Sequence, residues 1–80
     1  MNILVHNYAA LKDYFESDME VIIQQGGYVS DLIDLLIEKN PSSEKLLHKC
    51  RVAVNENITN LNYRLSDRDK IDILPPSSGG

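Results

Sequence analysis

The chain opens and closes on strand-forming runs with one helix-length segment between them, an order that few folds of 80 residues accommodate. Ile3-Leu4-Val5 lies almost at the start, in a run from residue 2 to Tyr8 rich in β-branched and aromatic side chains, the composition of a buried strand. At the other end, Lys70-Ile71-Asp72-Ile73-Leu74 alternates, the period-two pattern of a strand with one face on a core. Between them, Ser30 precedes Asp31, Leu32, Ile33, Leu35, Leu36 and Ile37. This predicts a helix capped by Ser30, with Asp31 favoured by the helix dipole and Asn40-Pro41 as its stop.

The remaining pieces fit around that frame. Ala10 to Phe15 predicts one or two helical turns with Leu11, Tyr14 and Phe15 on one face. Met19 to Gln25 sets Met19, Val21 and Ile23 against Glu20, Ile22 and Gln24 before a Gly26-Gly27 turn, so a first hairpin is expected with the short helix in its connection. Ser42 to His48 reads as a capped helical turn, Val52-Ala53-Val54-Asn55 as a strand and Glu56-Asn57 as a turn. Ile58 to Asn60 reads as a brief extended piece and Leu65 to Asp69 as a polar turn. A right-handed crossover through the main helix would set the first and last strands parallel and adjacent at the sheet centre. The expected class is α+β, the β-grasp (ubiquitin-like) arrangement: a mixed sheet of four to five strands on one main helix. It spans residues 1–74, with residues 75–80 as a tail.

Composition narrows the chemistry. With 42% apolar and 25% charged residues the chain makes one small domain. A domain this size buries only about 60% of the surface its unfolded chain exposes, so a deep substrate cavity is not expected and any reaction belongs at an edge or a tail. The formal charge is −4, with seven acids and two bases in residues 1–40 against five acids and six bases in residues 41–80. No Lys/Arg cluster forms a footprint for nucleic acid or for an anionic membrane surface. The single cysteine, Cys50, cannot close an internal disulfide, and no Cys/His set has structural-metal spacing. The start carries no basic segment followed by a long apolar stretch, so a soluble, cytoplasmic protein is expected.

The last six residues, Pro75-Pro76-Ser77-Ser78-Gly79-Gly80, differ in composition from everything before them. Proline fixes its own φ and keeps its predecessor out of the α region, so Pro75-Pro76 should end the last strand and send the chain on in an extended direction. Six extended residues reach about 20 Å, enough to enter a partner's active site. Gly79 and Gly80 carry no side chain, so the backbone stays slim in a channel and the terminal carboxyl is open to attack. A carboxylate is inert toward nucleophiles until it is activated, for example as an acyl adenylate, and this chain has no phosphate cradle for that step. A small polar end is by itself an ordinary loose terminus; the strand and double proline in front distinguish this one.

At these residues a resemblance emerges. Val52-Ala53-Val54-Asn55, the stretch Leu65-Ser66-Asp67-Arg68-Asp69-Lys70-Ile71 and the ending Leu74-Pro75-Pro76-Ser77-Ser78-Gly79-Gly80 resemble the molybdopterin synthase small subunits, a β-grasp family of sulfur carriers. Tyr8-Ala9 followed by Lys12-Asp13 is similar to the family's aromatic, alanine, basic, acidic pattern. The resemblance covers nearly the whole chain, is weak between residues 14 and 50, and is most specific at Pro-Pro-x-x-Gly-Gly.

The resemblance implies a noncatalytic carrier that binds no permanent cofactor. A ubiquitin-activating-type adenylating enzyme would use ATP to adenylate Gly80, and sulfur from a persulfide donor, such as a cysteine desulfurase or rhodanese-like protein, would displace AMP to leave a thiocarboxylate. The tail, with Gly79 slim beside Gly80, would then enter the large synthase subunit, within a heterotetramer, and give sulfur to a cyclic pyranopterin precursor. By the same carry-over Tyr8, Ile58 and Leu74 would form an exposed apolar patch gripping the partners, with Pro75, Pro76, Ser77, Ser78 and Lys12 in the same contact. Tyr8, Ile58 and Leu74 read equally as core packing, and Lys12 as a solvated helix charge. One departure is Arg68, where the family often has glycine; a left-handed backbone there costs a side-chain-bearing residue roughly 1 kcal/mol.

Other candidates carry less. Ser30-Asp31-Leu32 reverses the order around the pantetheine serine of acyl carrier proteins, whose fold is all-helical, so Ser30 reads as a cap. His6 and His48 form no catalytic set, and Cys50, with no activating neighbour in sequence, reads as a small apolar residue near the third strand rather than a sulfur donor. A sulfur carrier serving thiamin or thiolated tRNA, a ubiquitin-like tag joined to lysines, and an edge-strand binding module stay open beside the molybdopterin role.

Overall fold

The computed structural model describes residues 1–76. Five strands, β1 (Asn2–Asn7), β2 (Asp18–Ile22), β3 (Arg51–Val54), β4 (Asn57–Thr59) and β5 (Lys70–Leu74), form one sheet in the order β2-β1-β5-β3-β4. The main helix, α1 (Val29–Lys39), and a single turn, α2 (Glu44–Leu47), complete the fold. β1 and β5 run parallel at the centre, with Val5 opposite Ile71 and His6 opposite Asp72; the other pairings are antiparallel. This is the expected β-grasp.

Alternation explains the layering. Ile3 and Val5 of β1, Val21 of β2, Val52 and Val54 of β3 and Ile71 and Ile73 of β5 all point to one side and are buried. There they join Val29, Leu32, Ile33 and Leu36, spaced i, i+3, i+4, i+7 along α1, in a single core cluster. Each such side chain contributes about 1.5–3 kcal/mol when fully buried, so one face of the sheet supplies the stability and the other is left open.

Local details depart from expectation for readable reasons. Ser30 is not the cap of α1. Tyr28 occupies that position, Asp31 Oδ2 accepts its amide at 2.7 Å, and the carbonyls of Tyr63 and Leu61 accept the amides of Val29 and Ser30 at 2.9 and 3.0 Å. A distant loop thus satisfies donors that a cap side chain would otherwise take. The first short helix is a 3₁₀ segment over Ala9–Asp13 that buries Leu11, entered through Ala9 at φ 51°. The hairpin turn is Asn55-Glu56, not Glu56-Asn57: both residues have positive φ, 49° and 73°, the pair of left-handed conformations that matches strand twist in a two-residue loop. Gly26, at φ 80°, makes the turn closed by the Gly27 amide on the Gln24 carbonyl at 3.1 Å.

Candidate functional site

The open face of the sheet gathers the residues of interest. Residues directly opposite in neighbouring strands point the same way, and Ile58 lies opposite Ala53, Ala53 opposite Asp72, and Asp72 opposite His6. These four make a row across β4, β3, β5 and β1. Two residues on from Asp72 the same face carries Leu74, opposite Arg51. Tyr8 stands just past β1 and turns its hydroxyl toward Asp72 Oδ1 at 3.4 Å. Tyr8 and Ile58 are 45% and 60% exposed and Leu74 is half-buried, so all three occupy the open face and none belongs to the core.

That settles Leu74, which the alternation with Lys70 and Asp72 puts on the solvent side of β5 while Ile71 and Ile73 face the core. Pro75, half-buried, and exposed Pro76 follow directly. Lys12 sits apart from the sheet, exposed on the 3₁₀ segment between β1 and β2. Ser77, Ser78, Gly79 and Gly80 lie outside the described residues.

Polar groups punctuate the apolar face. His6 Nδ1 pairs with Asp18 Oδ1 across β1 and β2, and His48, just past α2, lies 3.6 Å from Glu44 Oε2; each is an ion pair when its histidine is protonated. The negative charge of Asp72 is the first cause holding the Tyr8 hydroxyl above its ordinary pKa. Sequence reading did not single out Asp72, although its place in the Lys70–Leu74 alternation was a usable signal.

The base of the patch is set by the turn before β5. Arg68, at φ 67°, adopts the left-handed backbone that glycine would take without strain. Its amide donates to the Asn2 carbonyl at 2.7 Å, and Asp67 Oδ1 accepts the Asn2 amide at 2.8 Å, so the turn ties β5 to the start of β1.

Elsewhere the described residues offer little chemistry. Cys50 Sγ donates to the Leu46 carbonyl at 3.2 Å, and burial pushes its thiol up to about 11, which keeps it protonated and unreactive near neutral pH. No group of three His, Cys, Asp or Glu side chains among the described residues is placed to hold a metal ion. No helix among them is long and apolar enough to cross a membrane.

Comparison with known proteins gives this geometry a context. The sequence pattern of the ThiS family matches residues 5–80. The molybdopterin synthase sulfur carrier subunit of Mycobacterium tuberculosis is 34% identical over 61 residues, which cover 76% of this chain and 74% of that protein. Among solved structures, SAMP1 from Haloferax volcanii superposes with a TM-score of 0.88 at 20% identity over all of both chains, a likeness of fold. A chain in the complex of subunits 1 and 2 of molybdopterin-converting factor from Helicobacter pylori superposes with a TM-score of 0.72 at 26% identity, again over all of both chains.

Proposed function

Because this chain belongs to the ThiS family, we propose that it is the sulfur carrier subunit of molybdopterin synthase, acting through Gly80. The observation that carries the reading is the 34% identity to a relative named as that subunit. Tyr8, Ile58 and Leu74 on one open face, with β5 running straight into Pro75-Pro76, support it.

The division of labour follows from size and placement. A partner of the ubiquitin-activating type binds ATP, and the Gly80 carboxylate attacks its α-phosphorus, giving the acyl adenylate and pyrophosphate. The outer sulfur of a persulfide donor, a cysteine desulfurase or rhodanese-like protein, attacks the carbonyl carbon and displaces AMP, giving an acyl disulfide. A second thiol then attacks the donor's inner sulfur, and as that new disulfide forms the S–S bond to the acyl sulfur breaks and the thiocarboxylate leaves. The large subunit then receives the tail, and the sulfur passes to the cyclic pyranopterin precursor. The H. pylori neighbour, a complex of subunits 1 and 2, supports a large-subunit partner, and the resemblance to the small synthase subunits implies a heterotetramer. Throughout, this chain docks and delivers, and it catalyses no step alone.

On this reading the open sheet face orients the carrier while the tail reaches into each partner. Tyr8 and Leu74 supply aromatic and aliphatic contact area of the kind enriched at interface centres. Pro75-Pro76 ends the strand, and Gly79, with no side chain, suits a narrow channel in the partner. The test is reconstitution with the large subunit, the adenylating enzyme, ATP, a persulfide donor and the pyranopterin precursor. Dithiolene product is expected with the full chain and none with Gly80 removed. Product formed without Gly80 would overturn the proposal, and conversion of a thiamin or tRNA acceptor in place of the pyranopterin would assign the carrier to a different pathway.

A further inference from the structure

Asp72 is a carboxylate set into the middle of the apolar docking face. Its row neighbours are Ala53 on one side and His6 on the other, Leu74 follows on the same strand face, and Tyr8 leans over it. Yet among the described residues its charge has no counter-ion. The ion pairs among the described residues are His6–Asp18 and His48–Glu44, so the nearest histidine is already engaged by a different acid. Lys70, two residues earlier on the same face and so about 7 Å along the strand, makes no ion pair with it, and neither does Arg51, which stands opposite Leu74 on the adjoining strand. The contact that Asp72 does have, the Tyr8 hydroxyl at 3.4 Å, is long and neutral.

In the free protein, water solvates this carboxylate, which lines a shallow depression with His6, Tyr8, Asn55, Glu56 and Lys70. Docking changes that. A partner seated on Tyr8, Ile58 and Leu74 must cover Asp72 as well, because Asp72 lies between Ile58 and Tyr8 on the face. A carboxylate stripped of water without a cation opposite it would cost the complex heavily. The partner must therefore bring the charge.

We propose that Asp72 is a specificity-determining residue of the docking face and that the large-subunit partner inserts an arginine side chain against it. Arginine fits better than lysine on two counts. Its planar fork can bind both carboxylate oxygens, and its flat guanidinium can stack on the adjoining Tyr8 ring. The consequence is selectivity: a large subunit with an apolar residue at that point would leave Asp72 buried and unpaired, and would be rejected even though the surrounding apolar contacts matched.

The inference rests on the docking role proposed above, and the test separates the two. Affinity for the large subunit is measured by calorimetry for the unaltered full-length chain, Asp72→Asn, Asp72→Lys and Leu74→Ala, with thermal unfolding confirming that each variant folds. Asp72→Asn preserves shape and is expected to weaken binding by about tenfold or more, with Asp72→Lys weaker still. The unaltered complex should lose affinity with added salt more steeply than the Asp72→Asn complex. An arginine of the large subunit whose reversal to aspartate is rescued by Asp72→Arg would identify the partner residue. If Leu74→Ala weakens binding while Asp72→Asn does not, the arginine contact is wrong and the docking face stands. Weakening confined to the adenylating enzyme would put the cation on the other partner and overturn the assignment. If the unaltered chain does not bind the large subunit, both readings fall.

Discussion

Asn55 and Asp69 are joined side chain to side chain, Asn55 Nδ2 donating to Asp69 Oδ1 at 3.0 Å, and this bond fastens the β3–β4 turn to the turn that launches β5. Asp69 is 7% exposed and also accepts the Ser66 amide at 2.7 Å, while Asn55 Oδ1 accepts the Lys70 amide at 3.0 Å. The pair sets where β5 begins, and so where Asp72 and Leu74 point. Asp69→Ala would remove the charged acceptor of two hydrogen bonds, those from Asn55 Nδ2 and the Ser66 amide. A loss of about 2–3 kcal/mol is expected, read as a lower urea midpoint, with Asp69→Asn losing less. An unchanged midpoint for Asp69→Ala would remove the pair from the account.

The left-handed residues predict the opposite sign. Arg68 and Glu56 hold φ of 67° and 73°, where a Cβ is strained. Arg68→Gly and Glu56→Gly should each stabilise by roughly 0.5–1 kcal/mol, after allowing for the extra freedom glycine has in the unfolded chain. For a domain this small that raises Tm by several degrees, at about 4–8 °C per kcal/mol. A lower Tm in both variants would mean that their side chains contribute more than the backbone strain costs.

Gly27 is constrained by space rather than by φ. A Cβ there would lie 2.8 Å from Ile23 Cγ2 and 3.1 Å from the Gln24 carbonyl oxygen. Ile23 is buried and the carbonyl belongs to the turn, so neither can yield easily. Gly27→Ala should destabilise by about 1–3 kcal/mol in thermal unfolding. Full stability would show that the turn and Ile23 move aside without cost.

Cys50 gives a pH prediction. Its thiol is raised from 9.0 to about 11 by burial, so between those values an unfolded chain releases the proton and the folded chain keeps it. The contribution of this group to stability is therefore intact below pH 9 and declines as pH rises toward 11. Alkylation by iodoacetamide at pH 8 should run well below the rate for free cysteine and climb as pH approaches 11. A rate at pH 8 equal to that of free cysteine would contradict the burial.

Much of this was legible in the chain itself. The strand runs at both ends and the stripe Leu32, Ile33, Leu36 are strong periodic signals, and they yielded the parallel central pair and the single main helix because period and length leave few alternatives. Boundaries were harder. The cap of α1 depends on carbonyls of Leu61 and Tyr63, some thirty residues away, and no local pattern reports a bond of that range. Likewise the Asn55-Glu56 turn is fixed by bonds from Asn55 to Lys70 and Asp69, which override the usual preference for glycine there. In the candidate site, Tyr8, Ile58 and Leu74 emerged from family likeness, and the sheet then placed them on one face. Asp72 was overlooked because one acid in an alternating strand reads as an ordinary solvated residue until its neighbours are known.

If Gly80 carries sulfur, the intact mass of the full chain reports it after incubation with its adenylating enzyme, ATP and a persulfide donor. Exchange of one carboxyl oxygen for sulfur adds about 16 Da, at Gly80 and at no other residue. That shift is expected, together with its absence when Gly80 is deleted and its disappearance when the large subunit and pyranopterin precursor are added. A chain that stays at its original mass with active partners, or that gains 16 Da at Cys50 or a methionine instead, would contradict it.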